Sequence, residues 1–138
     1  MSSRRGGLAG IVVVAAAGNE GRNNSQNTSG YATVSAPGND PYVITVGAMK
    51  TRGTASRADD QITSYSSKGP TLLDHVVKPD IVAPGNRVVS AKLNRDSPME
   101  SQYPQNEVHD HYFILSGTSM AAPMVSGAVA LMLQKDLH

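Results

Sequence analysis

The amino-acid sequence predicts an α/β fold, with a mostly parallel sheet and a long helix near the C-terminus. A continuous apolar run, "IVVVAAA" at residues 11–17, ends at a glycine. Such a run is typical of a strand that is buried on both faces of a parallel sheet. Further short runs rich in β-branched residues follow, bounded by Gly, Pro or Asn. The apolar stretch 119–135 is the one strong helix prediction.

Four more strands are predicted after the run 11–17, and long polar loops separate them. The strands are "YVITVGAM" (42–49), "DIVAPG" and "RVVSA" (both within 80–91) and "YFILSG" (112–117). The longest loops cover residues 19–36, 50–61 and 92–110. With 138 residues, no repeat and no linker, the chain is expected to form part or all of one domain.

The helix 119–135 is apolar on nearly all its faces, which predicts a buried helix. Pro123 is tolerated near a first turn, where amides lack partners, so the helix is predicted to begin at Thr118 or Ser119. Ser119 would then lie at the positive end of the helix dipole, a place that suits a nucleophile whose reaction creates an oxyanion. The simpler interpretation is an N-cap serine, although Thr118 could fill that role instead.

Composition argues against several classes of function. A net charge of +1 and an aromatic content of 4 %, without tryptophan, argue against a nucleic-acid partner. The absence of cysteine excludes disulfides and thiolate sites. No apolar run approaches the roughly 20 residues that span a membrane, so no membrane partner is expected. A signal peptide is the alternative interpretation of the N-terminus, but the β-branched residues of 11–17 favour a strand.

Four sequence blocks resemble the subtilisin-like serine proteases, the subtilase family, and occur in the family's order. They are "VVVAAAGNEG" (12–21), "SYSSKGP" (64–70), "KPDIVAPG" (78–85) and "GTSMAAPMVSGAVALML" (117–133). The resemblance is weakest at 22–35 and 92–111. It implies a doubly wound sheet with a buried helix after the nucleophile. It also implies a serine-type endopeptidase that acts on peptides or proteins through an acyl-enzyme, and an extracellular location.

The resemblance also implies roles for individual residues. Ser119 resembles the nucleophile, and Asn19 resembles the oxyanion-hole donor that works with the backbone N–H of Ser119. The positions that resemble the pocket for the residue before the scissile bond are Ala15, Ala16, Ala17, Gly18, Glu20, Ser35, Ala36 and Pro37. Ala36–Pro37 is a candidate for a cis peptide bond. Met120 resembles the oxidation-sensitive methionine beside the nucleophile.

The sequence departs from the family pattern at the partners of the nucleophile. A serine needs a base and an orienting acid, and in subtilisins both precede it in the chain. The 18 residues before Asn19 contain neither Asp nor His, and none of the four histidines lies in the family's context. Residues 1–138 are therefore expected to be the C-terminal portion of one subtilase catalytic domain, without the half that bears Asp and His.

Two functions stay open on this evidence. The chain is either part of a serine endopeptidase or a catalytically incomplete chain, at most weakly esterolytic or peptide-binding, that needs a complementary segment with Asp and His. Half of a doubly wound sheet exposes an edge strand and helix faces, which predicts association with that segment or self-association. An α/β-hydrolase is rejected because only Asp136 and His138 follow the serine, at the end of its own helix.

No cofactor is expected for the chemistry, and no metal ligand is predicted in the site. The loop "NEGRNNSQN" at 19–27 is rich in oxygen ligands, and the family often carries structural calcium. Glu20 is the only acidic residue in this loop, so no specific motif supports a calcium site. Asp80 is interpreted either as an acceptor for local backbone amides or as a solvated loop acid.

Overall fold

The computed structural model describes residues 10–22, 29–92, 98–109 and 111–136. These residues form two small sheets and one long helix. The elements in chain order are β1 (Val14–Ala16), β2 (Ile44–Lys50), β3 (Gln61–Ile62), β4 (Ile81–Pro84), β5 (Val88–Ala91), α1 (Pro98–Gln102), a 3₁₀ helix (Pro104–Asn106), β6 (Glu107–Val108), β7 (Tyr112–Leu115) and α2 (Thr118–Asp136).

Strand β2 is the centre of the main sheet. Strands β1 and β4 both pair with it in parallel, and β3 pairs antiparallel with its last residues. Five consecutive residues of β2, from Thr45 to Met49, are buried, as expected for a strand covered on both faces. Because the three parallel strands end at the same edge of the sheet, the loops that follow them lie together at that edge.

Helix α2 packs against β1, β2 and β4 through small side chains. The core at this contact consists of Val46, Ala48, Ala83 and Ala121. A Cβ atom at Gly85 would lie 2.8 Å from the Cβ of Ala48 and 3.0 Å from that of Ala121. Glycine at this position therefore allows the start of the helix to lie directly against the sheet.

The α/β prediction and most of its elements are confirmed. The runs 80–91 and 112–117 contain β4, β5 and β7, and the run 42–49 overlaps β2, which ends one residue later at Lys50. The helix begins at Thr118, one of the two predicted starts, and ends one residue beyond the predicted stretch. Strand β1 is shorter than the run 11–17, because Ile11 and Val12 are exposed and unpaired in the ladder. The short elements β3, α1 and β6 were not predicted.

The burial of α2 differs from the prediction of a helix buried on all faces. Thr118 and Ala121 are fully buried, but Leu131 is 69 % exposed and Met132 is 67 % exposed. The reason is that the sheet covers only one face of the helix, near its N-terminal end. Pro123 is the sixth residue of the helix, and so lies inside it rather than in the first turn. Within the described part of the chain, no helix is long and apolar enough to cross a membrane.

The second sheet leads the chain into α2. Strand β7 lies in its centre and pairs antiparallel with both β5 and β6. Since β5 follows β4 and β7 precedes α2, this small sheet joins the edge of the main sheet to the helix start. The short turn between β7 and α2 is therefore flanked by the second sheet on one side and by the main sheet on the other.

Candidate active site

Ser119 lies on the first turn of α2, directly after an anchored turn. The N–H of Gly117 donates a hydrogen bond to the carbonyl oxygen of Gly85 at 2.8 Å, and the hydroxyl of Tyr65 donates to the same oxygen at 2.9 Å. The N–H of Arg87 donates to Ser116 Oγ at 2.9 Å. These bonds connect the turn to the end of β4. Ser119 is exposed on this fixed support.

Asn19 lies beside this turn and is held by Thr118. Its Oδ1 accepts a hydrogen bond from the Thr118 N–H at 3.0 Å and another from the Thr118 hydroxyl at 3.2 Å. The Thr118 Oγ1 in turn accepts a bond from the N–H of Gly18 at 3.2 Å. Both hydrogen bonds are accepted by Oδ1, so the Nδ2 group of Asn19 remains available as a donor.

Two N–H donors lie close to Ser119 at the start of α2. A Cβ atom at Gly117 would lie 3.4 Å from Asn19 Nδ2, so this amide group lies close to the turn before Ser119. The Ser119 N–H is one of the first four amides of a helix and has no acceptor among the described residues. A side-chain N–H and a backbone N–H are thus available in the same small region.

Two short segments face each other next to this region. The N–H of Ser35 donates to the carbonyl oxygen of Ala17 at 3.0 Å, which joins segment 35–37 to segment 15–18. Ala15 and Ala17 are buried, whereas Ser35, Ala36 and Pro37 are exposed. The peptide bond Ala36–Pro37 is cis, as predicted. The predicted pocket residues other than Glu20 therefore lie in two neighbouring segments, the walls 15–18 and 35–37.

Ser67 supports these walls, although its role was not identified from the sequence. Its N–H donates to the carbonyl oxygen of Gly18 at 2.9 Å, and its Oγ accepts from the N–H of Glu20 at 3.0 Å. Glu20 itself is exposed at the rim. Ser67 lies in the block "SYSSKGP", which resembles the family as a whole. A serine by itself gives no indication of this supporting role, so only the block could have pointed to it.

None of the three described histidines, His75, His109 and His111, contacts Ser119 through a hydrogen bond. All three of these histidines are exposed. His138 lies outside the described residues. The described part of the chain thus contains an exposed serine with two N–H donors nearby, and no described histidine is bonded to that serine.

Lys78 and Asp80 form an ion pair at the start of β2 and β4, which decides between the two interpretations of Asp80. Lys78 Nζ lies 2.6 Å from Asp80 Oδ2 and also donates to the carbonyl oxygen of Val43 at 2.8 Å. The N–H of Thr45 donates to Asp80 Oδ2 at 2.7 Å. Partial burial acts to raise the pKa of Asp80, but the bonds from Lys78 and Thr45 outweigh it and lower that pKa. Asp80 therefore binds a local amide and fixes the loops at the start of β2 and β4.

The predicted oxygen-rich loop is only partly described. Residues 23–27 of the stretch 19–27 lie outside the described residues. Among the residues that are described, no group of three or more His, Cys, Asp or Glu side chains could hold a metal ion. The calcium expectation for this loop is not tested by the structure.

Comparison with known proteins identifies the family. The family model described as the subtilase family matches residues 2–138. The chain belongs to the subtilase family. It is 42 % identical over 128 residues to serine protease AprX of Bacillus subtilis, and 42 % identical over 126 residues to subtilisin DY of Bacillus licheniformis. These matches cover 93 % and 91 % of the chain.

A solved structure has the same fold as this subtilase chain. The prenylagaramide maturation protease PagA superposes with a TM-score of 0.63 at 25 % sequence identity. The match covers 97 % of the chain and 36 % of PagA. The chain also spans only 27 % of the length of AprX and 34 % of subtilisin DY, about a quarter to a third of these relatives.

Proposed function

We propose that this chain supplies the nucleophile, the oxyanion hole and the acyl-side pocket of a serine endopeptidase. The observation that supports this most directly is the double hydrogen bond from Thr118 to Asn19 Oδ1, which leaves Asn19 Nδ2 as a donor near Ser119. Preoriented donors of this kind stabilise the charge that develops on a carbonyl oxygen during acyl transfer. Subtilase membership supports a serine peptidase in general.

The proposed reaction has two steps. Ser119 Oγ loses its proton to a base and attacks the carbonyl carbon of the scissile peptide bond. The carbonyl oxygen becomes an oxyanion, which accepts hydrogen bonds from Asn19 Nδ2 and the Ser119 N–H. The carbon–nitrogen bond breaks, the amine leaves with a proton, and an ester to Ser119 remains. Water then hydrolyses that ester and restores the serine, so the chemistry needs no cofactor.

The side chain before the scissile bond is proposed to lie between the walls 15–18 and 35–37. The alanines of the first wall leave room for a medium or large apolar side chain. Glu20 is exposed at the rim, where its carboxylate could also attract a basic side chain. The substrate is thus a peptide or an unfolded protein segment, and an extracellular location is part of the proposal by family resemblance.

The second candidate function is a catalytically incomplete chain that needs a complementary segment bearing Asp and His. One specific observation favours it: Ser119 has no hydrogen bond to a histidine among the described residues. A serine without a base is a weak nucleophile near neutral pH. On this alternative, residues 1–138 are the C-terminal portion of the catalytic domain, and activity appears only in an assembled complex.

A fluorophosphonate probe tests the proposal and separates the two candidates. The chain is treated with the probe alone, and again with the region of a subtilase relative that carries the family's Asp and His. Peptide mapping by mass spectrometry then locates the adduct. We expect labelling of Ser119 only with the added region, which would support the complementation model, whereas labelling of the chain alone would show that it already activates its serine.

Two variants make this labelling specific. Ser119→Ala should abolish the adduct. Ser126→Ala is the matched control, because Ser126 is an exposed serine of the same helix whose hydroxyl donates to the carbonyl oxygen of Ala122. Labelling that persists in Ser119→Ala, or labelling absent under every condition, would contradict the assignment of Ser119 as the nucleophile.

A further inference from the structure

A cavity of about 310 Å³ lies beside Met120, on the side of the site formed by the second sheet. Its walls include Phe113 and Leu115 of β7, Met99 and Glu100 of α1, Met120 of α2, and Lys92. This volume is at the low end of the range of roughly 300–1,000 Å³ that is common for ligand pockets. Most of its surface is apolar, and its two charged groups are Glu100 and Lys92.

Glu100 has an incompletely compensated charge in this cavity. Its side chain is only 12 % exposed, and its Oε1 is buried without a hydrogen-bond partner among the described residues. Lys92 Nζ lies 3.8 Å from Glu100 Oε2 but 2.6 Å from Glu107 Oε1. One ammonium group thus serves two carboxylates and is closer to Glu107. A buried carboxylate oxygen in this position favours a cationic hydrogen-bond donor as a ligand.

The cavity lies next to the reacting serine but apart from the walls 15–18 and 35–37. Met120 follows Ser119 directly in the chain. A Cβ atom at Gly117 would lie 3.4 Å from Asn19 Nδ2 and 3.7 Å from Met120 Sδ, so the proposed oxyanion donor and the cavity wall meet at Gly117. No residue of the cavity belongs to the two walls. If the acyl side of a peptide occupies those walls, the leaving-group side extends toward Met120.

We infer that this cavity binds a lysine or arginine side chain of the substrate, at the residue that follows the scissile bond. The inference rests on the proposed function, because that function sets the direction in which the peptide crosses Ser119. The methylene groups of such a side chain pack against Met99, Phe113 and Leu115, and its charged end reaches Glu100 Oε1. Met99 and Glu100 belong to the region 92–111, in which the sequence resembles the family least, so this preference is a feature of this chain.

The test measures peptide binding and does not depend on catalysis. Three labelled peptides that mimic the leaving group differ only in the first residue, which is lysine, norleucine or glutamate. Fluorescence anisotropy with the full chain gives their dissociation constants. We expect the lysine peptide to bind about tenfold more tightly than the norleucine peptide, since the two differ by one hydrogen bond between charged groups. The glutamate peptide should bind most weakly.

Glu100→Gln is expected to remove the preference for lysine over norleucine, while near-UV circular dichroism shows that the variant folds like the parent. Asp59→Asn is the matched control, because it loses the same charge at a residue that bonds Thr54 and does not line the cavity, and it should leave the preference unchanged. The inference is overturned if the lysine and norleucine peptides bind equally, if none of the peptides binds, or if the preference survives in Glu100→Gln. Probe labelling of Ser119 is scored separately, so failure of the serine assignment is distinguishable from failure of this pocket.

Discussion

Thr118 and Asn19 meet at a single oxygen atom, although they are 99 positions apart in the sequence. Asn19 Oδ1 accepts from the backbone N–H of Thr118 and from its hydroxyl, at 3.0 and 3.2 Å. Thr118 is fully buried, and its Oγ1 also accepts from the Gly18 N–H. The orientation of the Asn19 amide is therefore set by the residue that precedes Ser119. For variants of Thr118 and Asn19, reactivity is measured as the labelling rate of Ser119 with the Asp- and His-bearing region added.

Thr118→Val should slow the labelling of Ser119 by about tenfold. The substitution keeps the shape of the side chain but removes one bond to Asn19 and leaves the Gly18 N–H without its acceptor. The loss of such a buried bond costs about 1–3 kcal/mol, and about 1.4 kcal/mol corresponds to one factor of ten in rate. Thr118→Ser keeps the hydroxyl and should label at nearly the parent rate. Equal rates for the valine and serine variants would show that the hydroxyl does not position Asn19.

Asn19→Asp should reduce the labelling rate far more than it reduces stability. Aspartate keeps an oxygen that accepts both Thr118 bonds, but it replaces the Nδ2 donor with a negatively charged oxygen. Loss of the oxyanion-hole asparagine in subtilisin itself costs about 10²–10³ in kcat, and we adopt that measured range for this chain. Urea unfolding should show only a small change in the free energy of unfolding. A variant that labels at the parent rate would remove Asn19 from the oxyanion hole.

The sequence predicted the parts of this molecule that depend on local pattern. The apolar runs predicted β2, β4, β5, β7 and α2 because strand and helix periodicity are local properties. The positions of Asn19 and Ser119 followed from family blocks. The Thr118–Asn19 and Ser67–Gly18 bonds could not be predicted, since each joins residues that are about 50 to 100 positions apart. Such pairs follow from the packing of the sheet and not from any single segment.

The exposure of α2 shows a second limit of sequence analysis. An apolar helix predicts burial, but it does not identify the surface that covers each face. In the described residues the sheet covers Thr118 and Ala121, and it leaves Leu131 and Met132 exposed. Lys78 was likewise not recognised as a buried residue, because lysine is almost never fully buried unless it is paired. Its partner, Asp80, is only two residues away.

Gly18→Ala should destabilise the chain by about 2 kcal/mol or more. Gly18 has a φ of +105°, which strains any residue with a Cβ atom. The new Cβ would lie 2.8 Å from Ser35 Oγ and 2.9 Å from Ser67 Oγ, and a shift of Ser67 would weaken its bond to the Glu20 N–H.

Gly127→Ala is the control for the Gly18→Ala variant. A Cβ there meets nothing within 4 Å in the middle of α2, so alanine should stabilise by about 0.5–1 kcal/mol. Urea unfolding of both variants measures the two effects, and a stable Gly18→Ala would contradict the close contact.

Asp80→Asn should destabilise the chain in a pH-dependent manner. The pKa of Asp80 in the folded chain is lowered from its ordinary value of 3.8, so the ionised carboxylate stabilises the fold. This contribution is fully present above the pKa of the unfolded chain and is lost as the pH falls through the folded pKa. The Asp80 side chain is 42 % exposed, so we expect a loss of only about 1 kcal/mol at neutral pH.

The measurement is urea unfolding of the parent and of Asp80→Asn from pH 7 down to the acid limit of the fold. The difference in unfolding free energy between the two proteins should shrink below about pH 4. Asp59→Asn is the control for a general charge effect, since Asp59 bonds only Thr54 among the described residues. A difference that stays constant over the whole pH range would show that the Lys78–Asp80 pair does not stabilise the fold through the Asp80 carboxylate.

The exposed apolar end of α2 should make the chain alone self-associate. Leu131, Met132 and Leu133 are between 48 and 69 % exposed on consecutive positions, and clustered exposed apolar side chains favour association. Leu131→Glu should lower the mean mass measured by light scattering and reduce the binding of a hydrophobic dye. Gln134→Glu adds the same charge nearby without removing an apolar side chain, and should have little effect. Addition of the Asp- and His-bearing region should also lower dye binding if that region covers α2, whereas a parent chain that is monomeric and binds no dye would contradict the prediction.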